Sequence, residues 1–252
     1  MITDPIFYLV AVPAVFITGL SKGGFGGGVA FVSVPTMALF VEPLTAAAIM
    51  LPILIIMDFI SMKAFWRKWL WDQLKVLIPA TMLGTVIGTF TARYTDPAVF
   101  RLFLATIAIV FALQMLWKLF VNTQSEGKIV RPWQGWFWGT LGGYSSFFAH
   151  AGGPPLNAYL LPQRLEKAAY QGTLVFVFTT INWSKVVPYI WLNELHWETI
   201  STAMVLIPWA IVSIFVGVWL HKRVPERPFY IICCFGMLLT GMKLAYDGLI
   251  AF

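Results

Sequence analysis

The sequence predicts an all-α polytopic membrane protein made of two inverted repeats. Each repeat is an interrupted, glycine-rich helical hairpin followed by three spanning helices, about 8–10 helical segments in all. Three observations carry this. First, 59% of the 252 residues are hydrophobic and 11% are charged, with mean hydropathy +0.79. A soluble domain carries about 25% charged residues. Second, most apolar runs approach the roughly 20 residues that cross a bilayer as helix. Third, two glycine-rich stretches interrupt apolar runs near the start of each half. They are Gly19-Leu20-Ser21-Lys22-Gly23-Gly24-Phe25-Gly26-Gly27-Gly28 and Ala149-His150-Ala151-Gly152-Gly153-Pro154-Pro155.

The first segment covers roughly residues 5–41. Lys22 is its only charge between Asp4 and Glu42. Glycine disfavours helix, so the run is expected to break over residues 19–28, leaving two pieces too short to cross as straight helices. Irregular backbone at membrane depth is tolerated only where protein buries it or it lines a cavity. This makes the break a candidate ligand site. Residues 44–62, with Pro52 and Asp58, read as a span, followed by a loop with Lys63, Arg67, Lys68 and Lys75. Residues 76–92 and 98–117 read as further spans, joined by a short turn. Residues 118–133 are the longest polar stretch.

The second half restarts near Gln134. Residues 135–148 lead into the second break and 156–161 lead out. Spans follow at 168–190, with Asn182 and Lys185, at 199–220 and at 228–245. The cysteines, Cys233 and Cys234, are adjacent in an apolar run and read as small hydrophobes. With Asp4 and no basic leading region, the N-terminus reads as retained structure. Eight tryptophans fall near span ends, namely Trp66, Trp69, Trp71, Trp133, Trp136, Trp138, Trp191 and Trp197. An interfacial belt accounts for them.

The halves are related. Val76-Leu77-Ile78-Pro79 recurs as Val205-Leu206-Ile207-Pro208, an offset of 129 that also takes Gly88 to Gly217. Earlier in the chain offsets of 124 to 126 fit better, taking Gly26-Gly27 to Gly152-Gly153 and Asp58 to Asn182. The division is a first transmembrane repeat over 1–120, a cytoplasmic linker over 121–132 and a second repeat over 133–252, within one membrane domain.

Loop charge sets orientation. Loops 63–75, 118–132, 164–167 and 221–227 are rich in Lys and Arg and are assigned to the cytoplasm, whereas 93–97 and 191–198 are poor in them. The first hairpin then starts and ends outside and the second inside. Both termini fall outside, periplasmic for a bacterial inner membrane. Inverted repeats of this kind place substrate sites near the bilayer midplane at the repeat interface.

At the two breaks the chain resembles the TauE/SafE family, the sulfite exporter or toluene-sulfonate uptake permeases. The first copy of the motif runs from Gly23-Gly24-Phe25-Gly26-Gly27-Gly28 to Pro35, and the second from Ala149-His150-Ala151-Gly152-Gly153-Pro154-Pro155 to Pro162. Asn182-Trp183-Ser184-Lys185 follows. The second copy departs from the simpler GxGGG form, so substrate does not carry over between branches. The resemblance implies transport of sulfite, sulfoacetate, sulfonates or related sulfur anions.

The residues fit an anion on their own chemistry. A half-helix that starts after a glycine break offers unpartnered N–H groups and about half a positive charge. Starts are expected at residues 27–30 and 154–157, together cradling an oxyanion. The candidate substrate-binding residues are Ser21, Lys22, Gly26, Gly27, Gly28, His150, Gly152, Gly153, Pro154, Asn157, Asn182 and Lys185, with Gln171 a further polar donor. Lys185 and Lys22 supply charge, although Lys185 also reads as a lysine snorkelling to the interface and Lys22 as a loop lysine. Asp58 and His150 are the candidates for a coupling proton, each with a plain structural reading beside it.

The expected partners are a small sulfur-containing anion and membrane lipid, with no nucleic acid and no cofactor. The membrane potential, negative inside, favours export at about 2.3 kcal/mol per charge per 100 mV. A passive anion channel shares this site chemistry. An intramembrane enzyme does not fit: the sequence has no HExxH and only three histidines, His150, His196 and His221.

Overall fold

A computed structural model describes residues 1–24, 30–120, 130–221 and 226–251. Among these residues the chain forms ten α-helices and two short 3-10 turns, with no strand. The first half holds α1 (Pro5–Gly24), a 3-10 turn (Ala30–Val32) leading into α2 (Ser33–Met37), then α3 (Pro43–Ala64), α4 (Trp71–Tyr94) and α5 (Pro97–Phe120). The second holds α6 (Pro132–Ala149), α7 (Gly153–Leu160) with a 3-10 turn (Leu161–Gln163), then α8 (Lys167–Trp191), α9 (Trp197–His221) and α10 (Glu226–Ile250). Among the described residues a long helix, a short helix and three long helices occur in that order in each half. By length and apolarity, α1, α3, α4, α5 and α9 are candidate membrane spans.

Packing follows an exchange of the halves. Helix α1 packs on α9 and α6 packs on α4; α3 packs on α9 and α8 on α4; α5 pairs with α10 and α3 with α8. Close approaches repeat too. A Cβ on Gly143 would overlap the Thr81 carbonyl, and one on Gly19 would lie 3.1 Å from the Ala210 carbonyl. Gly19 to Gly143 is an offset of 124, and Thr81 to Ala210 one of 129, the offsets of the sequence repeat. Small residues at such crossings let helix backbones meet where lipid supplies no hydrophobic drive.

Two expectations need correction. Helix α1 continues through Gly19 to Gly24, so it runs 20 residues and is long enough to cross. Glycine's low helix propensity loses here to packing against α9, where Gly19 and Gly23 face Ser213 and Ile214. The helix also satisfies its own backbone at a depth where lipid cannot. Gly26, Gly27 and Gly28 lie outside the described residues, as do positions 121–129 of the expected linker. The long helices also extend past the apolar windows. Helix α4 starts at Trp71 and contains Lys75, which the sequence assigned to a loop.

Helix α3 is the centre of the molecule. Ala46, Ala47, Ala48, Ile49, Met50 and Leu51 are all fully buried. A helix apolar all round is one that protein surrounds. Lipid-facing residues such as Leu83, Val86 and Phe90 on α4 and Val205, Val212 and Phe215 on α9 are exposed. Trp66, Trp71, Trp133, Trp191 and Trp197 are exposed at helix ends, as an interfacial belt requires.

Candidate functional site

The site forms where the C-terminal end of α1 and the break between α6 and α7 meet α3 and α8. Lys22 lies in the last turn of α1, a position that suits a cation because the helix dipole is negative there. Its Nζ donates to Asp58 Oδ1 on α3 at 2.5 Å, and the two side chains are 12% and 3% exposed. The other carboxylate oxygen, Oδ2, accepts from Asn182 Nδ2 on α8 at 2.6 Å. Both oxygens of this buried carboxylate are thus engaged, one by a charge and one by an amide.

A second cluster lies beside it. Lys185, three residues after Asn182, is fully buried. Its Nζ donates to the Ser146 carbonyl at 3.0 Å, to Ser146 Oγ at 3.2 Å and to His150 Nδ1 at 2.6 Å. Three donated bonds match the three N–H groups of an ammonium. The opposite ring nitrogen of His150, Nε2, lies 2.8 Å from the Ala47 carbonyl. A carbonyl only accepts, so the proton sits on Nε2 and Nδ1 accepts from Lys185. His150 caps α6 with φ 50° and ψ 28°, in the left-handed region that glycine adopts more easily. The side chain, held by two hydrogen bonds, keeps histidine there at the cost of backbone strain.

These groups border a cavity of about 50 Å³. That volume holds on the order of three to five waters, the scale of a small oxyanion. Lys22, Asp58, Ser61, Ser146, His150, Gln171 and Asn182 supply its polar wall. Phe31, Leu54, Leu174, Val175 and Phe178 supply the apolar part, and Gly153 brings the backbone of the second break to it.

The sequence-predicted residues divide accordingly. Lys22, Asp58, His150, Gly153, Gln171 and Asn182 meet at the cavity. Lys185 stands behind His150 and does not line it. Ser21 is fully buried on α1 away from the wall. Asn157 accepts from the Tyr170 hydroxyl at 2.5 Å, one turn into α7. The expected cradle of paired helix starts is reduced. Pro154 and Pro155 fill the first turn of α7 and have no N–H, so Gly153 is the one donor among its first three residues. A Cβ on Gly152 would come within 2.9 Å of the Gly142 carbonyl, which explains a glycine there. Ser146 was not foreseen; its place in Tyr144-Ser145-Ser146 carries no motif. Ser61 stands 124 positions before Lys185, the offset that relates Asp58 to Asn182.

On the far side of Lys185 the interior is packed with aromatics. Tyr189 is fully buried, meets Phe147 edge-on at 5.1 Å and donates its hydroxyl to the Phe147 carbonyl. Phe148 joins Phe147 at 5.3 Å and Phe100 at 4.4 Å. Beyond them, Thr45 Oγ1 donates to Glu194 Oε2 at 2.9 Å, tying the start of α3 to the loop after α8. Among the described residues no group of His, Cys, Asp and Glu is placed to hold a metal ion.

The fold and site together define a multi-pass membrane protein with a charged cavity between the end of α1, the α6–α7 break, α3 and α8, an arrangement suited to carrying a small polar solute. The family model described as sulfite exporter TauE/SafE matches residues 11–244, and the chain belongs to that family. It is therefore a membrane transporter of the sulfite-exporter type, in a family of transporters and not of enzymes. The chain has no match among curated proteins or solved structures.

Proposed function

We propose that the protein is a secondary transporter of small sulfur oxyanions or organosulfonates, sulfite and sulfoacetate among them. It moves them outward across the bacterial inner membrane by alternating access, with both termini periplasmic. The observation that carries this reading is the cavity beside the α6–α7 break, with Lys22 on its wall and room for one small anion. The substrate-binding set is Lys22, Asp58, Gly153 and Asn182, with Lys185, His150 and Ser146 holding its frame.

Support for alternating access comes from asymmetry. The cavity runs along the stretches of α3 and α8 that approach the basic loops, past Ser61 and Gln171. The opposite end is filled by Phe147, Phe148, Tyr189 and Phe100. This is the state expected of a carrier facing the cytoplasm with its outer side closed. A passive channel shares the chemistry, but the aromatic layer favours a carrier.

Calorimetric titration of the purified protein with sulfite, sulfoacetate, taurine, thiosulfate and sulfate tests the reading. Sulfite or a sulfonate should bind. The double variant Lys22→Met/Asp58→Asn removes the ion pair without stranding a buried charge, and should weaken binding at least tenfold, about 1.4 kcal/mol. Wild-type affinity in that variant, or no binding of any of these anions to the native protein, contradicts it.

A further inference from the structure

The cavity wall is not an open cationic cradle. Among the described residues lining it, Lys22 is the only cation besides the titratable His150, and Lys22 is already joined to Asp58. Lys185, the other buried lysine, is turned away onto Ser146 and His150. An anion arriving beside Lys22 therefore meets an ionised carboxylate 2.5 Å from the charge it needs. Two anions on one buried ammonium repel each other, and a like charge disfavours ionisation of a carboxyl group.

We propose that the anion takes the place of Asp58 on Lys22 and that Asp58 is protonated as the anion binds, so that one proton is taken up with each anion. This rests on the anion-transport reading above and names its co-substrate. The proton comes from solvent on the side from which the anion enters, and no other bond forms or breaks. Before the exchange the Lys22 ammonium faces the Asp58 carboxylate. Afterwards it faces the bound anion, with Asp58 neutral. The charge of the buried network is unchanged, which is why the exchange fits a monoanion.

The geometry suits both states. Asn182 Nδ2 keeps its bond to Oδ2 whether or not Oδ1 carries a proton. A protonated Oδ1 becomes a donor facing the cavity, so the group that repels the anion turns into one of its ligands. The titratable groups around Asp58 are Lys22 on α1, Lys185 on α8 and His150 after α6. Helix α2 carries none, and those of α5 and α9, which include Arg101 and Glu198, lie near helix ends. His150 has both ring nitrogens engaged, which leaves Asp58 as the group able to accept the proton. A monoanion and its proton together carry no net charge, so the membrane potential does no work on that pair. Direction follows their combined gradients, in place of the voltage argument the composition alone suggests.

The test is calorimetric titration of the full-length protein with sodium methanesulfonate in buffers of different ionisation enthalpy. A sulfonate is the base of a strong acid and takes up no proton itself near neutrality, so any proton counted belongs to the protein. The expected result is an uptake of one proton per anion, with affinity falling tenfold per pH unit where Asp58 is ionised in the free protein. Asp58→Asn should bind with no buffer dependence and no pH dependence. Binding to the wild type without proton uptake overturns the exchange while leaving the anion site standing. Uptake that persists in Asp58→Asn overturns the assignment to Asp58. Absence of binding of methanesulfonate and of the five anions above alike to the wild type overturns the anion reading, and the exchange with it.

Discussion

Asn182 Nδ2 donates to Asp58 Oδ2 at 2.6 Å, and the two residues are 124 positions apart. That is the offset that also relates Gly19 to Gly143 at the helix crossings. Repeat mates that touch lie where the two halves meet. One half supplies the carboxylate and the other the amide that holds it. Duplication followed by divergence at this one position would turn a symmetric contact into a charged site.

This contact makes a first prediction. Asn182→Leu leaves one buried carboxylate oxygen without its donor, at a cost on the order of 1–3 kcal/mol. The variant should melt lower than wild type and bind anion several-fold more weakly. Asn182→Asp places a second carboxylate against the first, so it should be least stable at neutral pH and recover on acidification as one of the two protonates. Thermal melts across pH read this directly, and a pH-independent Asn182→Asp curve contradicts it.

Lys185 is predicted to act as a positioning residue. Lys185→Met removes the donor from Ser146 and from His150 Nδ1 in a dry interior. Stability should fall by about 1–3 kcal/mol, the cost of leaving buried acceptors without their donor. Affinity should fall about tenfold because His150 loses its fixed orientation. Lys185→Arg should be intermediate in both, since a planar fork does not match three convergent acceptors. Melting temperature and titration heats on the same preparations separate the two effects. Near-normal values in both variants would mean that Lys185 does not hold the site.

Glu194 gives a pH prediction outside the membrane-spanning helices. Burial pushes its carboxyl above the usual range, the Thr45 hydroxyl pulls it down, Glu42 raises it and His196 lowers it, with the net direction upward. The folded protein then binds this proton more tightly than the unfolded chain. Its contribution is fully present below the unfolded carboxyl range and is lost as pH rises through the raised folded value. Thermal stability should step down across that window. Glu194→Gln cannot ionise and should lack the step, keeping a higher melting temperature at neutral pH. The same step in both proteins would exclude Glu194 as its source.

The orientation of the halves is tested by labelling. In a cysteine-free background, Thr95→Cys should react with an impermeant external thiol reagent and Lys68→Cys should not. Labelling of position 68 from outside removes the inverted arrangement.

Much of this architecture was legible because it depends on composition and period. Apolar length located the long helices, and the repeated Val-Leu-Ile-Pro exposed the duplication. Pairing Asp58 with Asn182 by offset alone brought together two residues that touch. Other features depend on contacts that no single segment encodes. Helix continues through Gly19 and Gly23 because α9 lies against them. Lys185 points at Ser146 and His150, not at the cavity, because the break after α6 presents a carbonyl and a ring nitrogen there. Lys22 stands in helix and not in loop, which is what brings it to Asp58. The prolines of the second break were visible, and their lack of N–H already limited the helix start they occupy.

The measurement that bears most directly on the transport reading is counterflow in proteoliposomes. Vesicles loaded with unlabelled sulfite or methanesulfonate are diluted into trace labelled anion. A carrier with the Lys22–Asp58 cavity as its single site should accumulate label transiently above equilibrium, and the Lys22→Met/Asp58→Asn protein should not. Label that enters only to equilibrium, at a rate independent of the internal load, would contradict alternating access and identify a channel.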